Sequence, residues 1–264
     1  MMRWMLVILL AAATVRGAEA PKTADDVLKF TTEKTTTYKT WSAAMQQTMN
    51  LMGVPLTLHG KTWFKAPRLT RTEMQMPLVG AAGQMLIVMG ADGMMWQEMD
   101  LLGQKKIMKM NMNQLTANLA GQGGASTPAV QSPDPARQWE ATKQYMDYAL
   151  VDGTPIEGQP VWVLEGKWKK DAAANPALTQ QVTMIGKMRL HIGQKDGFTR
   201  RIEQFDKAGA KTVVTTDFAN VTFNEPLDDA MFQYKPPAGI QAIDITDMAG
   251  QMIQQGKSST ADKP

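Results

Sequence analysis

Between Leu56 and Met112 apolar and polar residues alternate on a period of two, broken only by turn residues, and most of the apolar positions are methionine. A period of two sends successive side chains to opposite faces of a strand, so this stretch reads as a run of hairpin-connected strands with one apolar face. It opens with Gly60-Lys61-Thr62-Trp63-Phe64-Lys65-Ala66-Pro67, continues through Arg71-Thr72-Glu73, and turns at Asp92-Gly93, a pair that accepts positive φ in a tight hairpin. Such a sheet needs something over its apolar face. The cover is either the chain's own helices or an apolar ligand, and that choice decides the function.

The same period extends to both sides. Trp41, Ala43, Met45, Met49 and Leu51 share one face of a first strand, and Leu56, Leu58 and Phe64 share one face of a second. Leu69 to Met76 ends at Pro77, where a ladder donor is lost. Gln84 to Met89 and Met94 to Met99 flank the Asp92-Gly93 turn, and Lys105 to Met112 carries Met108, Met110 and Met112 on one side. Later strands are expected over Val161 to Trp168, Val182 to Ile192, Phe198 to Phe205 and Lys211 to Phe223. Ala136 to Tyr148 has helical spacing, although its aromatic residues equally suit the start of a strand.

Helices are few. Thr23-Ala24-Asp25-Asp26 is a capping box ahead of Val27, Leu28 and Phe30, which predicts a helix to about Thr37. Shorter helices are expected at Asn113 to Ala120 and Leu227 to Phe232. The fold class is therefore mainly β: a curved antiparallel sheet of about ten or eleven strands forming an incomplete barrel, with helices as a lid over an apolar cavity.

The first twenty residues stand apart. A short positive start, an apolar run from Trp4 to Val15 and the small-x-small site Ala18-Glu19-Ala20 predict a cleaved secretory signal over 1–20. Residues 21–245 are expected to form a single domain with a flexible Gly, Ser and Pro-rich connector at 121–135, followed by a polar tail over 246–264. The chain has no cysteine, so an exported form has neither disulfide staples nor a lipidation site, and a soluble periplasmic monomer is expected. The 28 basic and 25 acidic residues are interspersed, which argues against a nucleic-acid partner.

These features together resemble the LolA-like periplasmic lipoprotein carriers. The resemblance is carried by Gly60 through Pro67, by Pro67-x-x-x-Arg71-x-Glu73, by Asp92-Gly93-x-x-Trp96, and near the end by Asp196-Gly197, Asn220-Val221 and Phe232-x-Tyr234-x-Pro236-Pro237-x-Gly239. It covers roughly Asp25 to Asp244. It implies a half-open barrel that takes lipoprotein acyl chains or other lipids and passes them from an inner-membrane releasing complex toward an outer-membrane acceptor. It also implies a lid held closed by an arginine matching Arg71; a surface pair with Glu73 is the alternative for that residue. An envelope sensor of lipidated ligands would use the same fold.

The candidate cavity lining comprises Met45, Met49, Leu58, Phe64, Met74, Met76, Met85, Met89, Trp96, Met108, Met110 and Met112. Unbranched, polarisable thioethers adapt to chains of varying outline, and each buried methylene contributes about 0.8 kcal/mol. Met108, Met110 and Met112 could alternatively hold Cu(I) through soft sulfur. Trp63, Trp96, Trp162 and Trp168 are further ring candidates, of which one is expected to touch ligand. No cofactor is expected. His59 and His191 sit among polar alternates as solvated strand residues, and no nucleophile elbow, metalloprotease helix or phosphate loop is present, so no enzyme is expected.

Overall fold

A computed structural model describes residues 21–51, 53–78, 81–120, 142–170, 172–174 and 178–251. The expected leader at 1–20 and the connector at 121–135 lie outside the described residues. Helix α1 spans Ala24–Thr35 and begins with the expected capping box: the Asp26 amide donates to Thr23 Oγ1 at 3.1 Å, and the Thr23 amide donates to Asp26 Oδ2 at 3.0 Å. It stops two residues short of Thr37, where threonine hydroxyls turn back onto the helix carbonyls, as in Thr36 Oγ1 to Thr32 O at 2.9 Å.

The strands are β1 (Thr40–Leu51), β2 (Val54–Lys65), β3 (Leu69–Leu78), β4 (Ala81–Met89), β5 (Met94–Leu101), β6 (Gln104–Asn111), β7 (Met146–Val151), β8 (Val161–Trp168), β9 (Ile185–Gly193), β10 (Thr199–Asp206), β11 (Thr212–Phe223) and β12 (Ala242–Asp244). They form one 12-stranded sheet in the order β12-β6-β5-β4-β3-β2-β1-β11-β10-β9-β8-β7. Only the β12–β6 pair is parallel among those described. The chain meanders from β1 outward to β6, crosses to the opposite edge, and meanders back from β7 to β11 beside β1. The sheet is therefore continuous except between β6 and β7, where the long crossing segment replaces a hairpin. This open, mainly β architecture with helices on one face is the one the resemblance implied, with the three-residue β12 added.

β1 and β11 carry the seam between the two meanders. Ser42 pairs with Thr222 and Ala44 with Ala219, so β11 spends one extra residue there, and Asn220 takes up a positive φ of 50°. A bulge of this kind bends the strand and deepens the twist a half-barrel needs. Gly60 marks another tight place, because a Cβ on it would lie 2.0 Å from the Glu73 carbonyl oxygen. No side chain fits there.

Three expected boundaries change. The predicted strand from Val182 begins instead as helix α3 (Thr179–Met184), because Leu178 and Val182 pack one turn apart against Ala172, Tyr145 and Trp168; β9 follows from Ile185. Met112 leaves the strand and starts α2 (Met112–Ala120), since Asn111 Oδ1 accepts the Gln114 amide at 3.0 Å and caps that helix. The predicted tail at 246–264 begins with helical residues 246–251, in which Thr246 is buried and Ala249 packs on the Leu115 cluster. Among the described residues no helix is long and apolar enough to cross a membrane.

Candidate functional site

Register assigns the side chains to faces. Gly60, Met74, Met85 and Met99 lie opposite one another on β2 to β5, a row that starts from Met45 on β1 and ends at Lys106 on β6. A second row runs Trp41, Phe64, Thr70, Met89, Met95 and Met110. Alternation adds Met49, Leu58, Met76 and Met108 to this face. It is the face on which α2 packs, through Leu115 against Met110 with Met95 and Met112 alongside. We call it the inner face.

The sequence-chosen lining is thus largely brought together. Leu58, Phe64, Met74, Met89 and Met110 are buried in it, while Met45, Met49, Met76, Met85 and Met108 are half-buried. Met95 and Met99 belong to it as well, although the sequence reading left them out. Met112 reaches the same cluster from α2 instead of from a strand. Met108, Met110 and Met112, the thioethers that could hold Cu(I), therefore do not share one strand face. Among the described residues no group of three or more His, Cys, Asp or Glu side chains could hold a metal ion.

Trp96 is a correction. It pairs with Val88 and Lys109, on the opposite, outer face, where its ring lies 5.3 Å from that of Tyr234. That face is crossed by residues 225–240. Lys65 donates to Leu227 O at 2.8 Å and pairs with Asp229 at 2.6 Å, Phe232 is buried, and the Tyr234 hydroxyl donates to Glu98 Oε2 at 2.5 Å. Hydrogen bonds from Lys105 and then Tyr234 hold the Glu98 carboxyl below its ordinary value.

Arg71 stands on this outer face too. Its Nη2 pairs with Glu73 at 2.6 Å, and its Nη1 donates to the Met231 carbonyl at 3.1 Å. It therefore bridges to a carbonyl of the helical turn Asp229–Phe232 on the outer face and not to a helix over the inner face. The pairing with Glu73 is the alternative that the sequence reading had kept open.

At the other end of the inner face is a partly open cavity of about 140 Å³, lined by Thr142, Tyr145, Met146, Trp168, Leu178, Gln181, Ile185, Met188 and Gln204. Sequence reasoning named only Trp168 among these as a ring that could meet a ligand. Trp162 packs edge-on against Phe30 of α1, and Trp63 lies under Lys61 on the outer face. Burial pushes the neighbouring Tyr148 phenol up to about 12, and its hydroxyl points to Met146 Sδ at 3.6 Å.

Cavity and methionine field are joined by one further row. Met188 pairs with Gln204, Gln204 with Val214, Val214 with Met49, and Met49 with Leu56. Four strand spacings of about 4.8 Å make this row roughly 19 Å long. An apolar chain lying along it would run from the cavity to Met49 and Leu56 without leaving the inner face.

Neither histidine supplies a catalytic group there. His59 is exposed on the outer side of β2. His191 departs from the solvated residue expected: its side chain is only 12% exposed and its Nε2 lies 2.8 Å from Glu203 Oε2, also on the outer face.

No family model matches the chain, and no curated protein sequence does. Solved structures do. A chain of the Pseudomonas aeruginosa MucA/MucB complex is 15% identical with a TM-score of 0.44, the match covering 80% of this chain and 60% of that one. LprF from Mycobacterium bovis is 10% identical with a TM-score of 0.43, covering 78% and 96%. A LolA superfamily protein from Nitrosomonas europaea is 12% identical with a TM-score of 0.34, covering 81% and 99%. The chain thus spans about three fifths of the matched chain in the MucA/MucB complex, and nearly the whole of the other two.

Proposed function

We propose that this protein is a non-enzymatic carrier of acyl chains, free or attached to a lipidated protein, held on the inner face of its open barrel within the cell envelope. The observation that carries the reading is the row from the cavity through Met49 toward the methionine field, apolar at Met188, Val214, Met49 and Leu56 and interrupted by Gln204 alone. One acyl chain spans about half of the roughly 30 Å hydrocarbon core of a bilayer, so a row of roughly 19 Å accommodates one. A cavity of about 140 Å³ holds only a benzene-sized group, hence the last few carbons of such a chain. The remaining methylenes lie along Val214 and Met49, and the parallel row from Met45 through Met74 and Met85 to Met99, also four strand spacings long, takes a second chain.

Burying a dozen methylenes would contribute roughly 10 kcal/mol before the cost of association is subtracted. Binding and release need no covalent step. Delivery toward an outer membrane, through a releasing complex and an acceptor, is the finer reading. A sensor of lipidated ligands would draw on the same surface.

The test is displacement of a fluorescent 16-carbon fatty acid from wild type and from Met49→Glu and Met85→Glu, each checked for native melting. Each charge on the row is expected to weaken binding at least tenfold. Equal affinities in the three proteins would reject the site. A native preparation that carries no lipid by mass spectrometry, but takes up Cu(I) stoichiometrically, would reject the carrier itself.

A further inference from the structure

We infer that the methionine row of the inner face is a reversible oxidation site, at which hypochlorous acid switches off the acyl binding proposed above, on which this inference rests. The chain has no thiol, so its oxidisable sulfur is all thioether. Met74, Met85 and Met99 face one another across three strands, with Cβ atoms about 5 Å apart at such pairs, so a chain lying on the row touches all three.

Exposure sets an order among the thioethers. Met74 is buried, whereas Met85, Met99 and Met108 are half-buried and within reach of a small oxidant. Met184 and Met248, 61% and 52% exposed, lie on helical segments outside the methionine rows. They serve as internal controls.

Met85 has one more feature. Gln97 Nε2 donates to its sulfur at 3.6 Å, and Gln97 sits on the inner face opposite Ile87 and Met108. A sulfoxide oxygen accepts far better than a thioether, so the donor already aimed at Met85 holds the oxidised side chain in the lining. The face then presents a fixed dipole to the ligand in place of a soft apolar surface.

The chemistry balances without a cofactor. The sulfur lone pair attacks chlorine of hypochlorous acid, hydroxide leaves, and water then displaces chloride from sulfur. The products are sulfoxide, chloride and a proton, with sulfur oxidised and chlorine reduced by two electrons. Methionine sulfoxide reductase with a dithiol returns the thioether, giving disulfide and water.

The experiment treats the full chain with graded hypochlorous acid, maps sulfoxides by peptide mass spectrometry, and measures the affinity of a fluorescent 16-carbon fatty acid at each step. Met184 and Met248 are expected to oxidise first with affinity unchanged. Affinity then falls at least tenfold as Met85 and Met99 become oxidised, and the reductase restores it. The triple variant Met85→Leu, Met99→Leu, Met108→Leu, near-isosteric and checked by melting, is expected to keep its own starting affinity, whatever that is, within twofold after oxidation. Full oxidation of Met85 and Met99 with affinity intact would overturn the inference while leaving acyl binding standing, as would a triple variant as sensitive as wild type. Absence of probe binding before any oxidation would overturn both.

Discussion

The inner face is covered in two different ways along one sheet. Over β8 to β10 it lies under α1, where Ala24, Val27 and Leu28 meet Leu164, Leu190 and Ile192, all buried. Over β3 to β6 the same alternation presents methionines, with α2 packed at the rim around Met110 and Met95. Branched side chains lose little rotamer freedom on burial and fit one partner closely, which suits a cover that stays. Methionine keeps three rotatable bonds and fits many outlines, which suits a cover that is exchanged. The choice of apolar residue, more than the sheet geometry, separates the structural half of the face from the binding half.

That contrast breaks if both halves respond alike to truncation. Leu164→Ala, at a fully buried position under α1, is expected to cost about 3 kcal/mol in urea unfolding. Met99→Ala, at a half-buried position, is expected to cost about 1 kcal/mol while weakening acyl binding. Equal destabilisation by the two would mean that the methionine field is ordinary core.

Alkali sharpens the same division. Tyr148 packs against the α1 cluster, and burial raises its phenol from 10.0 to about 12. The unfolded chain ionises near the lower value while the folded chain holds its proton to the higher one. Stability is therefore complete below pH 10 and falls as pH rises toward 12, by roughly 2–3 kcal/mol from this group. Comparing wild type with Tyr148→Phe between pH 9 and 12 isolates this term; parallel pH profiles would contradict the assignment. The smallest effect expected is at Arg71, on the outer face. Arg71→Leu removes a half-exposed pair and one carbonyl bond, a loss of about 1 kcal/mol or less, read as faster hydrogen exchange in residues 229–232 with acyl affinity unchanged.

Much of the fold is legible in the sequence because period two and turn chemistry are local. The Asp92-Gly93 hairpin and the Thr23 capping box need no tertiary information. Trp96 shows where local reading fails: β5 carries apolar residues on both faces, because Phe232 and Tyr234 arrive from far along the chain to cover the outer one. Nothing near Trp96 announces that. Arg71 was assigned by the spacing of a motif, but register turns it to the outer face. The cavity was illegible for a related reason, since Tyr145, Leu178 and Gln181 come from the crossing segment and from the insertion between β8 and β9, which have no strand period. Met146, Trp168 and Met188, inward alternates of three adjacent strands, were the signal that could have pointed to it.

The central claim is that a ligand chain occupies the methionine face. Titrating protein labelled with 13C at the methionine methyl groups with a 12-carbon fatty acid reads each thioether separately by NMR. Saturable shifts at Met146 and Met188 of the cavity and at Met49, Met85, Met99 and Met108 of the inner face, with Met184 and Met248 unmoved, are the predicted result. Shifts only at Met184 and Met248, or none at any methyl at saturating ligand, would contradict it.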